Sequence, residues 1–442
     1  MKTYDVIVIG FGKAGKTFAK QASKKGKKVA VIEKSPQMYG GTCINIACIP
    51  TKVLVEASRE GLNFKQALQR KQEVVAALNQ KNYHLLADDD QIDVIDGWAR
   101  FQNDKTIAVY QGDKLLETLT APFIIINTGA KPNIPDIPGL KESAFAHDST
   151  SIMTLESLPQ RLVIIGGGYI SLEFASFFAT FGTQVTILES GEHLMPREDA
   201  EIVAQVEQDL TDAGISIHYG VQTTEITDFS GYAQVATSQG DFAADAILVA
   251  TGRRPNTDQL GLENTGIKLG QHGEIAVDDY LETTVPGVYA VGDVKGGPQF
   301  TYISLDDSRI LADKIFGAKE RSLANRGAVP YAVFMTPVLG RVGLTYQEAV
   351  QAGYDVVENK VAVKQMPRHK INNDARGLFK VVINKQNHQI LGASLYGENA
   401  EELINVIKMA IDQQIPYTYF RDNIFTHPTM IESFNDLMAI TL

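Results

Sequence analysis

Tyr4-Asp-Val-Ile-Val-Ile-Gly10-Phe-Gly12-Lys-Ala-Gly15 decides the fold. Its first part is a short apolar, β-branched run ending in glycine, the pattern of a buried parallel strand. Glycines at 10, 12 and 15 then allow a tight turn. They also let the backbone approach a pyrophosphate seated on the N-terminus of the next helix, predicted over residues 14–25. A second strand, Lys28-Val-Ala-Val-Ile-Glu33, ends in an acid placed to bond ribose hydroxyls.

The same unit recurs. Leu162-Val-Ile-Ile-Gly166 reads as a strand and Gly166-Gly-Gly168-Tyr-Ile-Ser171 as its turn. A helix to about Phe181 and the strand Val185-Thr-Ile-Leu-Glu189 complete it. From the third motif position to the acid is 18 residues in both copies, Gly15 to Glu33 and Ser171 to Glu189. A single glycine turn after a strand is common; two complete units with matching acids predict two dinucleotide-binding domains. Ser171 stands where such turns usually carry Gly or Ala, and it is still small enough for close helix packing.

Beyond Arg326 the pattern changes. Strand-like runs at 330–345, a helix at Gln347–Ala352, strands at Gly377–Ile383 and Ile390–Tyr396, and helices at about 398–413 and 429–440 predict an α+β domain. The fold class is α/β: two Rossmann-like dinucleotide-binding domains and a C-terminal α+β domain. The expected boundaries are 1–149, 150–272, 273–325 (a return to the first domain) and 326–442. The 442 residues suit about three domains at ~150 residues each. No apolar run reaches the ~18 residues of a spanning helix, so no membrane partner is expected. With 41 basic and 52 acidic residues the net charge is −11, which disfavours nucleic acid. The start, with Asp5 inside its apolar stretch, does not read as a signal peptide, and a cytoplasmic location is expected. Asp88-Asp-Asp90 reads as a solvated loop and Trp98 as core.

The chain has two cysteines, Cys43 and Cys48. Two thiols exclude a multi-bridge scaffold and a four-cysteine zinc site, and no metal site is expected. They sit in Gly40-Gly-Thr-Cys43-Ile-Asn-Ile-Ala-Cys48-Ile-Pro50-Thr-Lys52, ten residues after Glu33 and so beside the first nucleotide. Placed on the first turns of one helix, they would have their thiolates stabilised by its dipole and free N–H groups.

With these residues the chain resembles the flavoprotein disulfide reductase family, which includes glutathione reductase, dihydrolipoamide dehydrogenase and mercuric reductase. Thr128-Gly129-Ala130, Ala250-Thr-Gly252-Arg-Arg-Pro-Asn256, Val291-Gly292-Asp293 and His427-Pro-Thr-Met-Ile-Glu432 extend the match; Ala47 departs from the usual Gly. The resemblance implies that Gly10, Gly12, Gly15 and Glu33 hold FAD. Thr42, Thr128 and Gly129 lie near it, and Lys52 is paired with Glu173 at the flavin. Gly292 and Asp293 close that site. Gly166, Gly168 and Glu189 hold the nicotinamide nucleotide, with Tyr169 as a gate and Gly252 nearby. It further implies a homodimer with shared active sites, in which His427 and Glu432 form an acid–base pair reaching the partner's thiols. Cys48 is then the charge-transfer thiolate and Cys43 the interchange thiol.

Glu189 at the end of its strand favours the 2′-hydroxyl of NADH over the 2′-phosphate of NADPH, with some NADPH use allowed. The cysteine count excludes mercuric and high-molecular-weight thioredoxin reductases, and Glu189 disfavours glutathione reductase. Ile9–Lys16, Met38–Asn45, Gln299–Asp307 and Ile424–Pro428 resemble one bacterial branch, the reactive-chlorine-resistance flavoproteins, also described as hypothiocyanous acid reductases. That resemblance implies a small-molecule oxidant as substrate, hypothiocyanous acid first. Copper(II) reduction and a dihydrolipoamide dehydrogenase-like activity are the alternatives.

Overall fold

The apolar run at the head of the chain becomes the strand Val6–Ile9, buried at every residue. It is the middle strand of a parallel sheet ordered Val288–Ala290, Phe123–Ile126, Val6–Ile9, Val29–Glu33, Ile92–Asp96. A strand covered on both faces needs apolar side chains at successive positions, which is why these runs do not alternate. The helix Lys13–Ser23 buries Ala14, Phe18, Ala19 and Ala22 on one side of the sheet. On the other side, Ile7, Ile9, Ile124 and Ile126 share a core with Phe101, Ile107 and Val109. The latter belong to a second sheet formed by Lys2–Thr3, Lys114–Thr120, Thr106–Gln111 and Trp98–Asn103.

The computed structural model describes residues 1–441. These sheets belong to the first of two units, which takes in Met1–Leu54, Lys65–Ile134 and Gly252–Arg326. Two expectations fail here. Trp98 is half-buried rather than core: its indole N–H donates to the Gln259 carbonyl at 3.2 Å and the Lys34 ammonium lies 5.0 Å over its ring. Asp89 is not merely solvated, since its Oδ2 accepts from Lys20 Nζ at 2.6 Å and Ser23 Oγ at 2.9 Å, tying down the end of the first helix.

The second unit takes in Val55–Phe64, Pro135–Thr251 and the chain from Gly327 onward. Its parallel sheet runs Ala146–His147, Ala246–Val249, Arg161–Ile165, Gln184–Leu188, Ser216–His218. An antiparallel meander, Thr223–Phe229, Tyr232–Thr237 and Gly240–Ala244, closes one face through Ile226, Ala233 and Val235. The C-terminal part is an antiparallel sheet ordered Tyr331–Val333, Leu339–Gly343, Ile390–Tyr396, Leu378–Asn384, Val356–Ala362, on which the helix Ala400–Asp412 buries Leu403, Ile404 and Ile407. The α/β class and two Rossmann-like sheets are as the sequence implies. The expected helix at 429–440 shortens to a 3-10 turn, Ile431–Ser433, and one α-turn, Phe434–Leu437. The helical spacing of Met430, Phe434 and Leu437 needs no more than that to bury all three.

Candidate active site

The first glycine turn is seated on one residue the sequence does not flag, Asn127. Gly10 has φ +99°, and a Cβ there would lie 2.5 Å from the Asn127 carbonyl oxygen. A Cβ at Gly12 would lie 2.7 Å from Asn127 Nδ2, and one at Gly15 would lie 2.6 Å from both that atom and Val8 Cγ1. Asn127 Nδ2 donates to the Gly10 carbonyl at 3.1 Å, fixing the turn. The helix that follows is capped by Gly12 with no side-chain acceptor, so its first N–H groups are available to an anion. Glu33 is buried at the end of its strand. Its Oε2 accepts from Phe11 N at 2.9 Å and its Oε1 from Ser35 N at 3.2 Å. Burial pushes its carboxyl up, against those N–H groups.

Two distant motifs meet beside this turn. The strands Ala130–Pro132 and Arg253–Pro255 pair antiparallel. Thr128 Oγ1 donates to the Asn256 carbonyl at 2.8 Å, and Asn256 N donates to the Gly129 carbonyl at 2.9 Å. Gly252 has φ +97° and faces open space. Gly292 N donates to Asp307 Oδ2 at 2.7 Å, and the neighbouring Asp293 carboxyl is pushed up by burial. A glycine turn with an uncapped helix N-terminus, a buried ribose-class acid and a second acid at 293 fit FAD by their chemistry.

The thiols do not share one helix as expected. Cys43 lies in the turn Thr42–Asn45, and Cys48 opens the helix Cys48–Arg59. Ile46, at φ −140° and ψ 9°, leaves the helical region and breaks the path between them. Each thiol is thus near a helix start, yet neither is free in solvent; both are half-buried. The Cys43 thiol is pushed up, not down: its hydrogen bond with Cys48 is the largest cause, followed by burial and the charge on Cys48. A bond from Thr301 and the positive charge of Lys16 oppose this. Burial and the neighbouring Cys48 thus disfavour the thiolate of Cys43. Thr301 Oγ1 lies 3.8 Å from Cys48 Sγ. Thr301 and Lys16 both fall within stretches singled out in the sequence, without being picked out individually. The Lys16 ammonium is buried and donates to Asn82 Oδ1, and burial lowers its pKa to about 8. Lys52 Nζ reaches Thr51 Oγ1 at 3.4 Å on the thiol helix. A Cβ on Gly41 would lie 2.7 Å from Gly12 Cα, so the thiol loop rests directly on the glycine turn.

In the second unit Gly166 has φ +104°, and a Cβ there would lie 2.8 Å from the Ala250 carbonyl oxygen. Gly168 has no atom within 4 Å of a Cβ, and it caps the helix Tyr169–Thr180 without a side-chain acceptor. Glu189 Oε2 accepts from Gly167 N at 2.5 Å and Oε1 from Gly191 N at 2.6 Å. Ser171 is fully buried and its hydroxyl has no partner among the described residues. Glu173 Oε1 accepts from Phe334 N at 2.9 Å. The Tyr169 hydroxyl donates to Glu198, a residue within no motif of the sequence.

His427 Nδ1 lies 2.8 Å from Glu432 Oε2. A carboxylate only accepts, so Nδ1 carries the hydrogen and Nε2 is left to exchange a proton. The ring is 72% exposed while the Glu432 side chain is 16% exposed, an acid held in place under a presented imidazole. Among the described residues no group of three or more His, Cys, Asp or Glu side chains is placed to hold a metal ion.

Comparison with known proteins agrees with this arrangement. Residues 4–307 match the family model described as pyridine nucleotide-disulphide oxidoreductase, and 329–438 match its dimerisation domain. The chain is 46% identical over 440 residues to a probable pyridine nucleotide-disulfide oxidoreductase, RclA, of Escherichia coli, covering 100% of both chains. It is 34% identical to a mercuric reductase of Staphylococcus aureus, covering 99% of this chain and 82% of that one. Among solved structures, a Cu(II) complex of the HOCl-induced flavoprotein disulfide reductase RclA from Escherichia coli aligns with TM-score 0.96 at 46% identity, covering 99% of each chain.

Proposed function

The chain belongs to the pyridine nucleotide-disulphide oxidoreductase family, and from that premise we propose that it is an NADH-dependent cytoplasmic reductase of hypothiocyanous acid. Its family is FAD-dependent and draws electrons from NAD(P)H. The observation that carries the reading is the thiol pair, Cys43 hydrogen-bonded to Cys48 in a loop that rests on a dinucleotide turn, in a chain with no other cysteine.

In this reading Gly10, Gly12, Gly15 and Glu33 hold FAD, with Thr42, Lys52, Thr128, Gly129, Gly292 and Asp293 around it. Bound FAD relays the electron pair of NADH to the Cys43–Cys48 disulfide. Gly166, Gly168 and Glu189 hold NADH, with Tyr169 and Gly252 beside it. Glu189 accepts for a 2′-hydroxyl and repels a 2′-phosphate.

The oxidant step needs only the thiols and a proton carrier. Cys43, deprotonated by His427 of the other subunit, attacks the sulfur of hypothiocyanous acid. An S–S bond forms, the S–O bond breaks, and the oxygen leaves as water after taking that proton. Cys48 then attacks Cys43 Sγ and expels thiocyanate, closing the disulfide. With Cys48 as the thiolate, one thiol, one thiolate and one hypothiocyanous acid give one disulfide, water and thiocyanate. The upward push on the Cys43 thiol suits this sequence, since it then needs a base, and this reading keeps Cys48 as the thiolate that resolves. The match of 329–438 to a dimerisation domain and the presented imidazole of His427 support a homodimer with shared sites.

Copper(II) reduction is the second reading, supported by the relative solved as a Cu(II) complex. The test is anaerobic reduction of the holoenzyme with NADH. Hypothiocyanous acid, Cu(II) or lipoamide is then added, and the rate at which the oxidised flavin spectrum returns is compared. Hypothiocyanous acid should be fastest, and Cys43→Ser or Cys48→Ser should abolish its turnover. Full turnover in either variant removes the thiol route.

A further inference from the structure

Tyr169 opens its helix directly after the open Gly168. Its hydroxyl donates to Glu198 Oε1 at 2.5 Å, and the Tyr331 hydroxyl donates to the same oxygen at 2.5 Å. The two hydroxyls lie 3.4 Å apart and the ring centroids 5.7 Å apart. The Glu198 side chain has no solvent exposure, and Arg341 Nη1 stands 3.5 Å from its Oε2. Arg341 also donates to the Arg197 carbonyl and to Glu348, whose carboxylate accepts from Thr345 N at 2.8 Å.

A carboxylate stripped of water is unfavourable unless its oxygens are met. Here one oxygen takes two phenols and the other faces a guanidinium. Tyr331 and Arg341 sit on strands paired with each other and are fixed. If Tyr169 leaves, Glu198 keeps a phenol and the guanidinium, so Tyr169 is the detachable member.

We propose that Glu198 is a positioning residue that clamps Tyr169 by its hydroxyl in a resting place beside Gly168, and that an arriving nicotinamide nucleotide must detach it. The inference rests on the reading of Tyr169 as the residue at the mouth of the nucleotide site. A clamp of this kind lowers the population of the binding-competent state and so weakens nucleotide affinity without changing the step that follows.

The test titrates NAD⁺ into the holoenzyme and, separately, measures the rate of flavin reduction at saturating NADH. Tyr169→Phe frees the ring from the carboxylate and should lower the Kd for NAD⁺ by about tenfold, the worth of one charged hydrogen bond. Glu198→Gln should act in the same direction, and the double variant should add little. Tyr331→Phe should act oppositely, because Glu198 then depends more on Tyr169. In Glu198→Gln and Tyr331→Phe the saturating rate should stay put while Kd moves; a general loosening of the unit would not split the two or give opposite signs. Wild-type Kd in Tyr169→Phe, with an altered Kd in Tyr169→Ala, overturns the clamp and leaves the gate standing. Wild-type Kd in both overturns the gate as well. If Glu198→Gln fails to fold, an unchanged or tighter Kd in Tyr331→Phe overturns the clamp.

Discussion

Gly10 and Gly166 hold nearly the same conformation, and in each a Cβ would meet the carbonyl of the residue that follows the neighbouring parallel strand, Asn127 or Ala250. Beyond that carbonyl the two units differ. The side chain of Asn127 reaches on under Gly12 and Gly15 and leaves no room for a Cβ at either. Ala250 has no side chain to do so; Gly168 faces open space and a buried serine fits at 171. The acids differ too, Glu33 being buried and Glu189 only partly so. The first turn is closed by the protein and suits a nucleotide that stays; the second is open and suits one that comes and goes. Glycine in the third motif position is thus demanded by what lies beneath it, not by the turn itself.

The largest expected effect comes from putting the second unit's residue into the first. Gly15→Ser drives a side chain into Asn127 and Val8 and should cost about 3 kcal/mol, with most of the FAD lost. Urea unfolding and the flavin-to-protein absorbance ratio would show it, and full FAD content would break the contrast. Next is Glu189→Arg, which removes the acceptor of two backbone N–H groups. It should shift the NADH-to-NADPH ratio of kcat/KM by about a hundredfold toward NADPH. Equal use of the two cofactors by the unaltered enzyme would undo the argument.

The third concerns the residue after the motif, Lys16 in one unit and Leu172 in the other, both buried. Burial lowers Lys16 to about 8, below the unfolded value of about 10.4. Between those values the unfolded chain binds the extra proton, so stability rises with pH; below 8 the whole cost is present. Lys16→Leu should therefore stabilise by about 2 kcal/mol at pH 7, and the gain should shrink as pH rises from 8 toward 10.4. A pH-independent difference between the two proteins would refute this. The smallest effect is Ser171→Ala, which removes a buried hydroxyl without a partner and should raise stability by about 0.5 kcal/mol with NADH affinity unchanged. Measurable destabilisation would mean that the serine has a role.

Both parallel sheets were legible because strands covered on two faces read as unbroken apolar runs. Val356–Ala362 was not: it is an edge strand with Glu358, Asn359 and Lys360 at its centre and no alternation to detect. The thiol pair and the His427–Glu432 pair were legible because each lies within one short stretch. Asn127 and Glu198 were not, because each acquires its role only from residues that the fold brings to it. The sequence also gave no sign of the break at Ile46, which is a matter of backbone angle, or of the upward push on Cys43, which arises from its neighbours.

The contact between Gly12 and Gly41 bears on how portable this redox loop is. A Cβ on Gly41 would lie 2.7 Å from Gly12 Cα, so the loop can carry only glycine at 41 while it lies against this turn. Residues 40–52 transplanted onto another dinucleotide-binding scaffold would seat correctly only where the host turn lets its backbone approach Gly41 as closely as Gly12 does. The thiols are therefore not a cassette that can be exchanged by itself; the unit of exchange is the loop together with the turn that carries it.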